Sequence, residues 1–146
     1  MVIRTAEITP LEEAFQAEGN RLVLYYGDEN SQKEQLLKYF IQDKKAFYYR
    51  ARPASEKQQR MMMGQQISEE YGVTLSKHTY DEYFNRIKSG DASKLVVIID
   101  EFQHIAKKDS SFLDNILKLK AKRLYPGPVL IILASSVANA FGWIKM

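Results

Sequence analysis

Two segments constrain this chain more than any others. Leu95-Val96-Val97-Ile98-Ile99-Asp100 and Val129-Leu130-Ile131-Ile132-Leu133 are unbroken apolar runs rich in β-branched residues. A strand with one face in water alternates polar and apolar residues. An unbroken run needs protein on both faces, as inside a parallel sheet. Parallel neighbours cannot be joined by a tight turn, so each link must be a long crossover, usually a helix. These two runs therefore predict an α/β fold with a mostly parallel sheet.

The rest of the chain supplies the other parts. Residues 21–26, closed by Gly27, and 46–50, broken by Pro53, read as two further strands. A short helix opens at Thr9, with Pro10 in its first turn, Glu12 as the acid of a capping box, and Leu11 and Phe15 as apolar residues. Residues 33–42 form a second helix, with Leu36, Leu37, Phe40 and Ile41 on one face. Ser55 caps a third that runs to about Tyr71. It carries Met61, Met62 and Met63, which cannot all face one side and read mainly as flexible core filler. Residues 79–88 form a fourth, with Thr79 and Glu82 as its box. A fifth covers 111–124 and stops at Pro126-Gly127-Pro128. Helices alternating with strands across 1–146 make one domain.

Composition removes several function classes. There is no cysteine, so disulfide scaffolds, thiolate metal sites and cysteine nucleophiles are excluded. Only His78 and His104 are present, far apart, so no His-rich metal motif exists. No apolar run approaches the ~18 residues of a membrane span, and none near Met1 has signal-peptide length, so the expected setting is cytoplasmic. The net charge of +3 is mild. Its densest basic stretch, Lys118, Lys120, Lys122 and Arg123, falls late in a helix, where cations complement the dipole. Nucleic acid is thus the weaker of the partner readings.

In a parallel sheet, ligands bind outside the carboxyl ends of the strands. Those ends carry residues 27–34, Asp100-Glu101 and Ser135-Ser136. The first has the layout of a phosphate-binding loop: strand, Gly27, four residues, Gln32, Lys33, Glu34, helix. The full pattern is G-x-x-x-x-G-K-[ST]. Asp100 closing an apolar strand is placed to hold magnesium, and Glu101 to activate a water.

On these residues the chain resembles the P-loop ATPases of the archaeal-type, AAA-related group allied to the STAND ATPases. Leu95 to Gln103 is similar to that group's second motif, including Phe102-Gln103 after the acids. The helix at 11–15 precedes the first strand, and 129–136 looks like the strand ending in a polar sensor. The resemblance implies a three-layer P-loop NTPase-like fold and ATP with magnesium as ligands. It implies Gly27 and Lys33 at the phosphates, with Glu34 at the hydroxyl position. It further implies Asp100 on magnesium, Glu101 as base, and Ser135 or Ser136 as sensor. It also implies a further strand beside the first, a helical lid and often an effector domain. No such parts fit in 137–146, so the chain is expected to be an N-terminal fragment or a reduced core. The vacated sheet edge would favour self-association. Residues 2–4 or the tail 143–145 are the candidates to cover it, and Trp143 is expected to pack on the domain.

The loop departs from the family pattern. Gln32 replaces a glycine that lets backbone approach phosphate, and Glu34 replaces the hydroxyl residue. With Asp28, Glu29, Glu34 and Lys33, residues 27–34 carry −2. At ~7 Å and an effective dielectric near 20, each like-charge pair costs roughly 2.4 kcal/mol. Ser31 and Glu34 match a capping box, which would fill the helix start with the protein's own carboxylate. Two functions follow. One is a degenerate domain with weak or absent ATP hydrolysis, acting as a regulatory or interaction module toward a protein partner or a second copy. The other is a working Mg-ATPase using Lys33, Asp100 and Glu101.

Overall fold

The computed structural model describes residues 2–3, 8–28, 32–88, 90–122 and 127–144. In chain order the elements are β1 (Val2–Ile3), α1 (Thr9–Gln16), β2 (Arg21–Tyr26), α2 (Lys33–Ile41), β3 (Ala46–Arg50), α3 (Glu56–Tyr71) and α4 (Tyr80–Arg86). There follow β4 (Leu95–Asp100), α5 (Gln103–Ala106), α6 (Ser110–Lys122), β5 (Val129–Ser135) and a 3-10 turn at Ala138–Trp143.

The five strands form one sheet in the order β1-β2-β5-β4-β3, with every pairing parallel. β4 and β5 are buried along their whole length, as their unbroken apolar sequences require. Alternate residues separate the two faces. Val23, Tyr25, Val96, Ile98, Leu130 and Ile132 pack with Leu11 of α1 and with Leu37 and Phe40 of α2. Val97, Ile99, Ile131 and Leu133 pack with Met63 and Ile67 of α3, with Tyr80, Tyr83 and Phe84 of α4, and with Phe112 and Ile116 of α6. The domain is therefore a three-layer α/β fold with a parallel sheet between helices.

The edge beside β2 carries β1, with Val2 opposite Leu24 and Ile3 opposite Tyr25. The N-terminal residues thus lie where the expectation placed a missing strand; Arg4 falls outside the described residues. At the other edge, the β3 carbonyl of Tyr48 accepts from Gln66 Nε2 at 2.6 Å, so α3 satisfies an outer backbone group.

Some local expectations change. Thr9 lies inside α1 and Ile8 holds the cap position without a side-chain bond; Glu12 pairs instead with Lys44 at 2.8 Å. Ser55 forms a full box with Gln58. Thr79 accepts from the Glu82 amide, but the Glu82 carboxylate turns to Ser76, so that box is half made. Met63 is buried, Met62 half-buried and Met61 exposed. Trp143 is 41% exposed, because Ala140 and Phe141 anchor the 3-10 turn, with the Phe141 ring 5.7 Å from that of Phe102. Lys118 pairs with Asp81 at 3.3 Å and Lys120 and Lys122 are exposed on α6, as at a solvated helix end; Arg123 lies outside the described residues. No helix among the described residues is long and apolar enough to cross a membrane.

Candidate functional site: a closed carboxylate–lysine network at the strand ends

Parallel strands carry their carboxyl ends to one edge, and the site forms there. The register sets Arg50 of β3 beside Asp100 of β4, and Asp100 beside Ala134 of β5. Ala134 lies in turn opposite Tyr25 of β2. Gly27 donates its backbone N–H to the Ser135 carbonyl at 3.1 Å, which ties the start of the loop to β5. Residues 29–31 lie outside the described residues, and with them the proposed Ser31 box.

Lys33 opens α2 and is only 6% exposed. Its ammonium donates to Oδ1 of the fully buried Asp100 and stands 3.2 Å from Glu101 Oε1. The Tyr48 phenol donates to the other oxygen of Asp100, Oδ2. Burial, then the charge of Asp100, drives the Tyr48 pKa far upward, so the phenol remains a donor. Both oxygens of Asp100 are therefore engaged inside the protein.

Glu101 is held as firmly. Its Oε1 accepts from the Ser136 amide at 2.8 Å, and its Oε2 accepts from Ser136 Oγ at 2.8 Å and from Gln103 Nε2 at 2.9 Å. Burial raises its pKa, but the bonds from Gln103 and Ser136 and the charge of Lys33 outweigh it, and the net direction is down. The backbone of Glu101 is left-handed, with a positive φ. That conformation costs an L-residue roughly 1–2 kcal/mol. The turn aims the carboxylate back across the strand ends.

The candidate sensors separate. Ser136 lines the cleft beside Glu101. Ser135 is fully buried and donates to Gln103 Oε1 at 2.7 Å, which orients the amide that serves Glu101. Glu34 also lines the cleft, but its carboxylate meets Arg50 at 2.6 Å and Lys38 at 2.9 Å. The bond from Lys38, then the two nearby cations, lowers its pKa despite partial desolvation. The cleft, about 330 Å³, is lined by Asp28, Gln32, Lys33, Glu34, Gln35, Arg50, Glu101 and Ser136.

Gln32 caps α2 with a positive φ, in the left-handed region. Glycine occupies that region freely, and other residues do so at a backbone cost. A glutamine side chain thus stands where a phosphate loop carries glycine.

ATP with magnesium is the ligand pair the resemblance implies, and the donor set tests it. The hydroxyl position is a carboxylate committed to two cations, and Asp100 and Glu101 have all four oxygens bonded. Among the described residues, no three His, Asp or Glu side chains are grouped to hold a metal. In this arrangement a magnesium ion would have to displace a protein donor from Asp100 or Glu101.

Sequence reading missed two contributors, Tyr48 and Arg50. Each looks like an ordinary strand residue, and only register brings it to Asp100.

No family model and no curated protein matches the sequence. Among solved structures, the Walker-type ATPase of Pyrococcus abyssi superposes with a TM-score of 0.57 at 18% identity, over 92% of this chain and 46% of that one. The Aeropyrum pernix ORC1 protein, solved in complex with DNA, gives a TM-score of 0.48 at 16% identity, over 89% of this chain and 37% of that one. The chain spans less than half the length of either. The likeness to the first concerns the fold alone, a parallel sheet between two layers of helices.

Proposed function

We propose that this chain is a P-loop ATPase-like domain whose phosphate site is held by its own side chains. It binds nucleotide weakly, hydrolyses ATP slowly or not at all, and serves as a regulatory or interaction module toward a protein partner or a second copy, in the cytoplasm. One observation carries the reading: both oxygens of Asp100 are bonded internally, by Lys33 and Tyr48. A phosphate must draw Lys33 away from a buried carboxylate before the lysine can serve it, and that separation is costly. The acids of the loop add repulsion.

The test is calorimetric titration of the domain with Mg·ATP at moderate salt, alongside phosphate release. The expected result is binding weaker than about 100 μM and turnover near background. Micromolar binding with turnover, lost in both Lys33→Ala and Glu101→Gln, would overturn the reading. It would establish the second one, a working ATPase, which is favoured by the convergence of Lys33, Glu101 and Ser136 on one cleft. Tight, steeply salt-dependent binding of an oligonucleotide would instead bring forward the nucleic-acid reading.

A further inference from the structure

The outer face of α3 carries an exposed groove that the strand-end network does not use. Arg52 and Pro53 form one wall, and Gln58, Met61, Met62 and Gln65 form the other, around about 430 Å³. Those four helix positions are spaced i, i+3, i+4 and i+7, so they share one face. The opposite face, with Gln59, Met63, Gly64 and Ile67, is buried. Met61 is 56% exposed, an unbranched side chain that adapts to whatever packs on it.

The charges along this helix run against its own dipole, which favours anions at the N-terminus and cations at the C-terminus. Arg52, Lys57 and Arg60 stand at the N-terminal end, whereas Glu69 and Glu70 sit in the last turn with no basic residue beside them. Glu56, the acid of the first turn, faces Arg60 at 3.9 Å, and Asp109 holds Arg60 at 2.9 Å. Arg52, Lys57, Glu69 and Glu70 are exposed, and none has an ion-pair partner among the described residues. Glu69 accepts from the Gln65 amide at 3.1 Å.

This pattern is complementary to itself. A second α3 laid antiparallel, about the midpoint between Met61 and Met62, sets Met61 against Met62 and Gln58 against Gln65. The same register carries the wall at Arg52 and Pro53 toward Glu69 and Glu70 of the other helix. An isologous contact makes each of these pairings twice. We propose that α3 is a self-association surface: a second copy of this chain packs its α3 antiparallel into the Met61–Met62 groove, with Arg52 of each copy paired to Glu69 of the other. The two helix dipoles then oppose, and each acidic C-terminal turn meets a cationic N-terminal end. One helix pair is small beside a lasting protein interface, so the dimer is weak and salt-dependent. It uses a helix surface, not the vacated sheet edge that the sequence suggested. The inference rests on the reading of this chain as an interaction module and names a second copy as its partner.

The test is sedimentation equilibrium of the full chain from about 10 μM to about 1 mM, in about 50 mM salt. The mass should rise from 16.9 kDa toward twice that value. Arg52→Glu and Glu69→Arg should each weaken association by about tenfold or more. The chain carrying both exchanges should regain it. So should an equimolar mixture of the two single variants, whose charges are opposite at both contacts. The chain has no cysteine, so Gln58→Cys and Gln65→Cys report orientation. Oxidation should join the two variants to each other much faster than either to itself. All four positions are exposed, so the substitutions leave the core untouched. A monomer across the whole range, a dimer indifferent to both charge reversals, or a double variant no tighter than the single ones would overturn the proposal. Micromolar Mg·ATP binding would overturn the closed-site reading and leave these masses unchanged, so the two readings fail separately.

Discussion

Glu34 and Arg50 meet at 2.6 Å, one on the first turn of α2 and the other at the end of β3. Their pairing sets a carboxylate at the helix start, where an anionic ligand would otherwise collect the unpaired amides. Lys38 supports it from the next turn at 2.9 Å. Glu34 is thus fixed in the cleft by two cations.

Replacing Gln32→Gly with Glu34→Thr should therefore open the site. The glycine accepts the left-handed backbone of position 32 freely, and the threonine removes the fixed negative charge. Calorimetry should show Mg·ATP binding at least tenfold tighter than in the native chain. Unchanged binding would mean that these two residues are not the block.

Lys33→Ala should destabilise the domain by about 3 kcal/mol, because it leaves the charge of buried Asp100 with one donor fewer. Adding Asp100→Asn should recover part of that loss. Denaturant unfolding of the three variants measures both effects; a loss no smaller in the double variant would count against the ion pair as the cause.

Glu101 predicts a pH dependence. Its pKa is lower folded than in an exposed chain, so its contribution is complete above the unfolded value, roughly 4.3. It fades as pH falls through the folded value. The difference in melting temperature between the native chain and Glu101→Gln should be level from pH 6 to 8 and shrink below about pH 4. A difference that grows on acidification would contradict the assigned direction.

Gly64 lies where α3 meets α4, and a Cβ there would come within 2.6 Å of the Tyr83 hydroxyl and 2.9 Å of its ring carbon. That hydroxyl is itself tied to the Arg60 carbonyl at 2.7 Å, so it does not yield freely. Gly64→Ala should cost about 1–3 kcal/mol in thermal or urea unfolding, despite alanine's better helix propensity. Adding Tyr83→Leu should restore part of it.

Much of this architecture was legible in the sequence because the strands are extreme. β2, β3 and β4 begin and end where their apolar runs and Gly27 or Pro53 place them. The same clarity located Lys33, Asp100 and Glu101 on one edge. The two-residue β1 is too short to carry a pattern, and α5 hides behind the turn at Glu101. Its buried Gln103 looks polar and exposed by composition, yet its amide is used on both sides, by Glu101 and Ser135. Tyr48 and Arg50 were legible as strand residues but not as site residues, since their partners are fixed by the β3–β4 register.

The position of β5 between β2 and β4 has a consequence in time. Arg21 and Leu130 are paired neighbours in the sheet although they lie far apart in the chain. β2 cannot join β4 through hydrogen bonds until residues 129–135 have been synthesised and inserted between them. Long-range closure of this kind slows folding, and the unfinished halves present open strand edges meanwhile. A nascent chain arrested before β5 should thus be a client for chaperones, with Lys33 still apart from Asp100. The network at the strand ends forms only when that last strand arrives.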